Sequence, residues 1–334
     1  MSLLKRIVSK AHREFNYALN DTKTFAGLNE RFFKNARGVR IVCYHGICQK
    51  DHLKFNTIFL TLKMFEEHLQ FYKKYFNVIS LNDYYEKRLS DDKFNICISF
   101  DDGYQNNYKY VLPLLKKYQT PATFFITAIH EAGYNFLWND FLGVVTKYGA
   151  KKVVYKNQTF YKDRYGKYIA TKNKESLVEI IRSRGYDAKI EMIEAFSSTI
   201  FRDKKSDEDF WLQMNPAEIK ELAACKLCTI GSHGYYHNDL ARLPIEDAKA
   251  EMLSSKHYLE NIIGKEITAL AFPYGTYTRS VVSEAKKAGY NKLLAVDFHF
   301  NEDITDPTMR ERFIVNPYIS TSNQMIATIK RKYF

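Results

Sequence analysis

From Val39 onward the chain alternates short β-branched and aromatic runs with longer stretches whose apolar residues recur every three or four positions. The runs at 39–44, 77–80, 95–100, 122–127, 228–231, 267–272 and 292–297 read as strands, because near-continuous apolar runs of this length suit strands buried on both faces. Between them, 64–75, 108–118, 216–226, 245–263 and 278–288 carry helical spacing, the last closed by Gly289 as a C-cap. Strand and helix in regular alternation predict a parallel α/β architecture, and seven strands predict a barrel.

The alternation breaks at 128–215, a Lys-, Tyr- and Glu-rich stretch with helical pattern at 174–183 and 188–197. It leaves the C-terminal end of one strand and returns before another, so it reads as a helical insertion over the face where α/β barrels build their sites, a lid or substrate-shaping cap.

Before the first strand, Leu3, Leu4, Ile7, Val8, Ala11, Phe15, Ala18 and Leu19 recur at helical spacing with Lys5, Arg6, Lys10 and Arg13 between them. This is a basic amphipathic helix, which either packs on its own domain or docks on an anionic membrane. Residues 1–40 hold nine Lys or Arg and three acids, so half of the chain's net charge of +12 lies in an eighth of its 334 residues. No zinc-finger, RNP or basic-zipper pattern accompanies the charge, which argues against nucleic acid. The expected organisation is a basic segment at 1–38, a catalytic barrel at 39–320 with its cap at 128–215, and a tail at 321–334.

Composition narrows the class. With 46% hydrophobic and 15% aromatic residues the chain can bury a large core, and 26% charge with 14 Gly and 7 Pro excludes disordered or collagen-like chains. Uncharged stretches such as 118–129 and 267–278 are too short to span a bilayer, and the N-terminal residues show no apolar signal core, so a cytoplasmic location is expected. Five cysteines, Cys43, Cys48, Cys97, Cys225 and Cys228, are too few and odd in number for a disulfide framework, and Cys225 and Cys228 lack a second pair with which to bind zinc.

Two segments carry candidate chemistry. Phe100-Asp101-Asp102-Gly103 puts two acids at the end of an apolar run. Consecutive strand residues point to opposite faces, so the acids share one site only if the strand has ended and the chain is turning, which Gly103 permits. One carboxylate then binds a metal while its neighbour reaches the metal's water; a plain surface turn is the competing reading. Ser232-His233-Gly234-Tyr235-Tyr236-His237-Asn238-Asp239-Leu240 follows another apolar run, and its two imidazoles, four apart, can face one ion. Asp with two His leaves coordination positions open for water, as hydrolytic sites need.

With the later Ala271-Phe272-Pro273-Tyr274-Gly275 run, these motifs resemble, in content and order, the polysaccharide deacetylases (NodB homology, carbohydrate esterase family 4). The resemblance runs from about Val39 to Ile319, apart from the insertion. It implies a distorted (β/α)7 TIM-like barrel and a metal-dependent hydrolase that removes N-acetyl groups from a sugar in a polysaccharide, glycolipid or lipid-linked precursor. Position by position it implies Asp101 as general base, Asp102, His233 and His237 as ligands of a divalent metal, zinc foremost, and the backbone N–H of Tyr274 as oxyanion donor. Cys43-Tyr44-His45-Gly46 resembles the strand-end Tyr-His of the permuted branch that deacetylates poly-N-acetylglucosamine, making His45 the general acid and His299 the alternative. Where relatives carry a base-orienting Arg before the Pro, this chain has Ala271 and Phe272; Arg312 resembles the late Arg of the permuted branch. Trp138 and Asp140 open the insertion as a candidate sugar-binding wall, with core packing as the plainer reading.

The expected partners are an N-acetylated carbohydrate and an anionic membrane surface at the inner face. An amidase acting on a non-sugar amide, and a non-catalytic glycan- or membrane-binding barrel, are the competing functions.

Overall fold

The structure is a computed structural model that describes residues 3–55, 57–197 and 205–334. The first two residues of the basic segment and residues 198–204 of the insertion lie outside it.

Nine strands form one parallel sheet: β1 (Val39–Tyr44), β2 (Phe76–Ile79), β3 (Phe94–Phe100), β4 (Ala122–Ile126), β5 (Cys228–Ser232), β6 (Ala269–Ala271), β7 (Lys292–Ala295), β8 (Met309–Glu311) and β9 (Phe313–Ile314). The order is β8-β7-β6-β5-β4-β3-β1-β9, with β2 beside the first half of β3. The two ends of this path are consecutive in the chain, with Arg312 between them, so the segment passes from β7 to β1 and nearly closes a distorted (β/α)7 barrel. The amide of Arg312 donates to Ala295 and that of Val315 to Cys43, stitching the seam on both sides.

The seven expected strands all form. The seam strands lie in Met309-Arg310-Glu311-Arg312-Phe313-Ile314, too polar to register as a buried run. All seven residues of β3 are buried, as a parallel strand covered on both faces requires. The rings of Phe100 and Phe124, on neighbouring strands, stack at 5.1 Å in the core. Helices begin where local chemistry satisfies their free amides: Thr61 caps Leu62–Tyr75, and Asn215 with Glu218 forms a capping box ahead of Pro216. At the end of Arg279–Lys287, Gly289 takes φ +89° and Tyr290 donates back to Ala285.

The insertion leaves after β4 and packs around Trp138, Phe141, Leu177, Met192 and Phe196, in a cluster that also takes in Cys48, Phe59 and Tyr104 of the barrel. Beside helices Trp138–Tyr148, Leu177–Arg182 and Tyr186–Ser197 it carries an antiparallel three-stranded sheet, Lys152–Tyr155, Gln158–Lys162 and Tyr168–Ala170, which the helical expectation lacked. The tail folds too: helix Thr321–Lys330 packs on β1 and on Leu62–Tyr75. The basic segment forms helix Leu3–Phe25 and meets this C-terminal helix through polar groups, Asn20 and Asp21 against Asn323, Ser320 and Ser322.

Candidate active site

The candidate residues gather where the parallel strands end. The chain turns sharply after β3: Asp102 takes φ +75° and Gly103 φ +82°, and a Cβ on Gly103 would lie 2.8 Å from Ile126. This turn brings both adjacent carboxylates to one side. His237 (φ +55°) and Tyr274 (φ +61°) also hold left-handed conformations, which cost non-glycine residues about 1–2 kcal/mol each. Three strained residues at one end of the barrel mark a place where geometry outranks local stability.

Asp102 Oδ1 lies 3.1 Å from His237 Nε2 and 3.4 Å from His233 Nε2. The Nδ1 of His233 is 2.8 Å from the carbonyl of Ala271, a group that only accepts, so Nδ1 carries a proton and Nε2 is the nitrogen turned toward Asp102. All three side chains are buried, and their ligand atoms lie within 4.8 Å of one another. One carboxylate oxygen and two imidazole nitrogens, one imidazole oriented from behind, make a donor set that fits a divalent transition metal. Burial would raise the Asp102 carboxyl, but the two imidazoles hold it well below its ordinary value.

Asp101 faces a different partner. Arg312, at the barrel seam, donates to Asp101 Oδ1 at 2.5 Å and Oδ2 at 2.7 Å, a bidentate buried pair. Burial works to raise the Asp101 carboxyl, yet the guanidinium keeps it below the usual carboxylate range, an anion at neutral pH. The thiol of Cys43 lies 3.4 Å from Asp101 Oδ2, and burial keeps that thiol protonated.

These groups line a cavity of about 140 Å³ together with His45, Asn139, Tyr274 and the apolar Ile58, Val296 and Ile314. The ring of Tyr274 stands edge-on to His237 at 4.8 Å. His45 follows β1, and its Nδ1 is shielded from solvent without a hydrogen-bond partner. Burial lowers the basicity of His45, against the pull of the two aspartates. His299 stacks on Tyr277 at 4.4 Å and is not among the residues lining the cavity.

Trp138 and Asp140 lie behind the cavity. Trp138 is buried and donates its indole N–H to the carbonyl of His237 at 3.3 Å, which is core packing beneath the His237 loop and leaves no ring face for a sugar. Asp140 accepts from the Tyr104 hydroxyl at 3.1 Å, and burial, reinforced by the Asp102 charge, raises its carboxyl well above the ordinary value. Sequence reasoning missed Cys43, Asn139 and the three apolar residues as cavity lining; nothing local to them signals it, because they reach the cavity from five different segments.

The model of the polysaccharide deacetylase family matches residues 89–293, more than half of the chain. The chain belongs to the polysaccharide deacetylase family. That span includes Asp101, Asp102, His233, His237 and Tyr274 and leaves His45 and Arg312 outside. YxkH of Bacillus subtilis, which bears the polysaccharide deacetylase name, is 22% identical over 195 residues, 58% of this chain and 42% of that protein; the chain thus aligns with under half the length of its curated relative. Among solved structures, the Streptococcus pyogenes deacetylase PplD, in complex with acetate, superposes with a TM-score of 0.55 at 16% identity, covering 88% of this chain and 99% of that one. IcaB from Ammonifex degensii gives 0.54 at 16%, covering 89% and 98%, and a de-N-acetylase from Aggregatibacter actinomycetemcomitans 0.52 at 17%, covering 88% and 98%. At these identities the likeness is one of fold.

Proposed function

We propose that this member of the family is a metal-dependent N-deacetylase acting on an N-acetylated sugar in a polysaccharide, glycolipid or lipid-linked glycan. The observation that carries the reading is the convergence, in one small cavity, of an anionic Asp101 held by Arg312 with the Asp102, His233 and His237 donor set and an unpartnered His45 nitrogen. The cavity of about 140 Å³ has room for the acetamide group that such a site must admit.

Asp102, His233 and His237 would hold the ion. A divalent cation there, zinc by its donor set, supplies Lewis acidity toward water and the acyl oxygen. Asp101 accepts the proton of the attacking water, and the fixed guanidinium of Arg312 keeps it anionic and aimed. The backbone N–H of Tyr274 donates to the developing oxyanion. His45 passes a proton to the departing amine nitrogen, leaving acetate and a free amino sugar.

The test is acetate release from N-acetylhexosamine polymers, glycolipids and lipid-linked sugars by zinc-loaded protein, with Asp101→Asn as control. Release abolished in the variant supports the reading. Turnover of cyclic or other non-sugar amides alone would replace it with the amidase reading, and tight zinc binding without turnover of any amide would replace it with a non-catalytic barrel.

A second reading concerns where it works. Helix Leu3–Phe25 and the residues after it leave Val8, Phe15, Leu19, Phe25 and Leu28 exposed beside Lys5, Lys10, Arg13 and Lys23, an apolar and cationic face that suits the anionic inner surface of a membrane. Among the described residues no helix is long and apolar enough to cross a membrane. Flotation with anionic liposomes that fails for Phe15→Glu/Leu19→Glu supports surface docking. Flotation independent of anionic lipid, or none at all, rejects it.

A further inference from the structure

The loop that carries His237 is held from outside the barrel. Three consecutive residues, His237, Asn238 and Asp239, each meet a side chain of the insertion. Trp138 donates to the His237 carbonyl at 3.3 Å, the Lys189 ammonium to Asn238 Oδ1, and Arg182 to Asp239 Oδ2 through Nε at 2.9 Å, with Nη2 at 2.8 Å. From the other side Glu251 accepts from the amides of Tyr235 and Tyr236 and from Asn238 Nδ2, so the loop is clamped between insertion and barrel.

Arg182 does more than pair with Asp239. Its guanidinium lies over the Tyr274 ring at 4.1 Å, and Asp239 Oδ1 accepts from Thr276 Oγ1 at 2.6 Å. One insertion side chain therefore joins the ligand loop at His237–Asp239 to the turn at Tyr274–Thr276. Both contain residues in left-handed conformations, which persist only where their surroundings over-determine them. Asp239 is 1% exposed at its side chain and Arg182 20%, so the pair is shielded, and both Arg182 donors converge on the one oxygen Oδ2 while Oδ1 serves Thr276. Arg242, whose side chain is more exposed, approaches the same carboxylate oxygen at 3.3 Å.

We propose that Arg182 is a positioning residue: it locks the His237 loop and the Tyr274 turn to each other, so that the ligand imidazole and the oxyanion amide keep a fixed separation. The insertion on this view is a brace for the catalytic apparatus as well as a cap. The proposal rests on the deacetylase reading for its kinetic consequence and on the His237 ligand role for its metal consequence.

The experiment compares Arg182→Ala, Arg182→Lys and Tyr274→Ala, which keeps its backbone N–H, and the double variant Arg182→Ala/Tyr274→Ala. Arg182→Ala is expected to lower kcat about 10–100-fold with KM changed less than threefold, since it disturbs an interaction realised in the transition state. Zinc affinity, read by competition with a chromophoric chelator, is expected to fall about tenfold, as when a ligand's outer support is removed. Lysine, which keeps the charge but not the fork, should restore only part of either. The double variant should be no slower than the worse single one, showing that the two residues act as a unit.

Unchanged kcat and zinc affinity in a folded Arg182→Ala would overturn the proposal, as would a loss of melting temperature alone or a rise in KM alone. If Arg182→Ala does not fold, the lysine variant carries the same two readouts. The zinc competition needs no turnover, so a protein that releases no acetate would sink the deacetylase reading while the affinity series still decides whether Arg182 braces the loop.

Discussion

Arg312 holds Asp101 by both oxygens, at 2.5 and 2.7 Å, across 211 positions of sequence and at the point where the barrel closes on itself. A buried charge pair of this kind is costly to break from one side, about 3–5 kcal/mol, because the survivor is left uncompensated. Here it also sets a protonation state: without the guanidinium, burial would raise the Asp101 carboxyl.

The pair therefore predicts a pH signature. In Arg312→Met the acid limb of kcat/KM should move to higher pH, since Asp101 must lose its proton to act as base and now does so later. Arg312→Lys keeps the charge but not the fork and should give an intermediate limb. A pH–rate profile in which Arg312→Met shows the wild-type limb would exclude this coupling.

Metal removal gives a second outcome. Protein dialysed against chelator should lose acetate release and regain it with about one equivalent of zinc per chain. His237→Ala should weaken binding by more than the ~10–100-fold that outer-shell changes produce, because it deletes a donor. Metal analysis after gel filtration checks this, and a His237→Ala protein that retains full stoichiometry would show that His237 is not a ligand.

His45 predicts a dependence on the leaving group. His45→Gln should slow hydrolysis of an N-acetyl amino sugar by about 10²–10⁴-fold, the usual range for a lost general acid. It should slow an activated aryl acetate far less, since that leaving group needs no proton. His299→Gln should leave both unchanged. Equal losses on amide and aryl ester for His45→Gln would assign it a role other than proton donation.

A fourth outcome lies away from the site. His68, 1% exposed, bonds through Nδ1 to the Tyr44 hydroxyl at 2.9 Å, and burial drives its pKa down to about 3. The unfolded chain binds this proton near pH 6.5 and the fold refuses it, so stability is complete above about pH 6.5 and declines as pH falls toward 3, by up to about 1.4 kcal/mol per pH unit. Denaturant unfolding at pH 7, 6 and 5 should show the slope, and His68→Gln should flatten it. Parallel pH dependence in the two proteins would show that His68 is not the group responsible.

Much of this was legible in the chain because it is local. The strands are runs of apolar residues that cannot be solvated, the helix ending before Gly289 stops where glycine takes a left-handed conformation, and the Asp-Asp-Gly turn follows from the left-handed freedom of Gly103. The family resemblance rests on the same short segments, and the matched family model spans Asp101, Asp102, His233, His237 and Tyr274.

What only the tertiary structure decided concerns partners far apart in sequence. The polar seam at 309–314 becomes strand because two edges of a curling sheet need closing, a requirement no local propensity records. The sequence leaves Trp138 between core packing and a sugar-binding wall, and the fold decides for packing by placing its indole N–H on the His237 carbonyl. Cys43, Asn139 and Arg182 meet the site only after the barrel and its insertion have come together. Sequence determines what each segment can be, through dihedral preference and hydration of its own side chains; which charges end up sharing one low-dielectric cavity is set by the packing that expels the water between them.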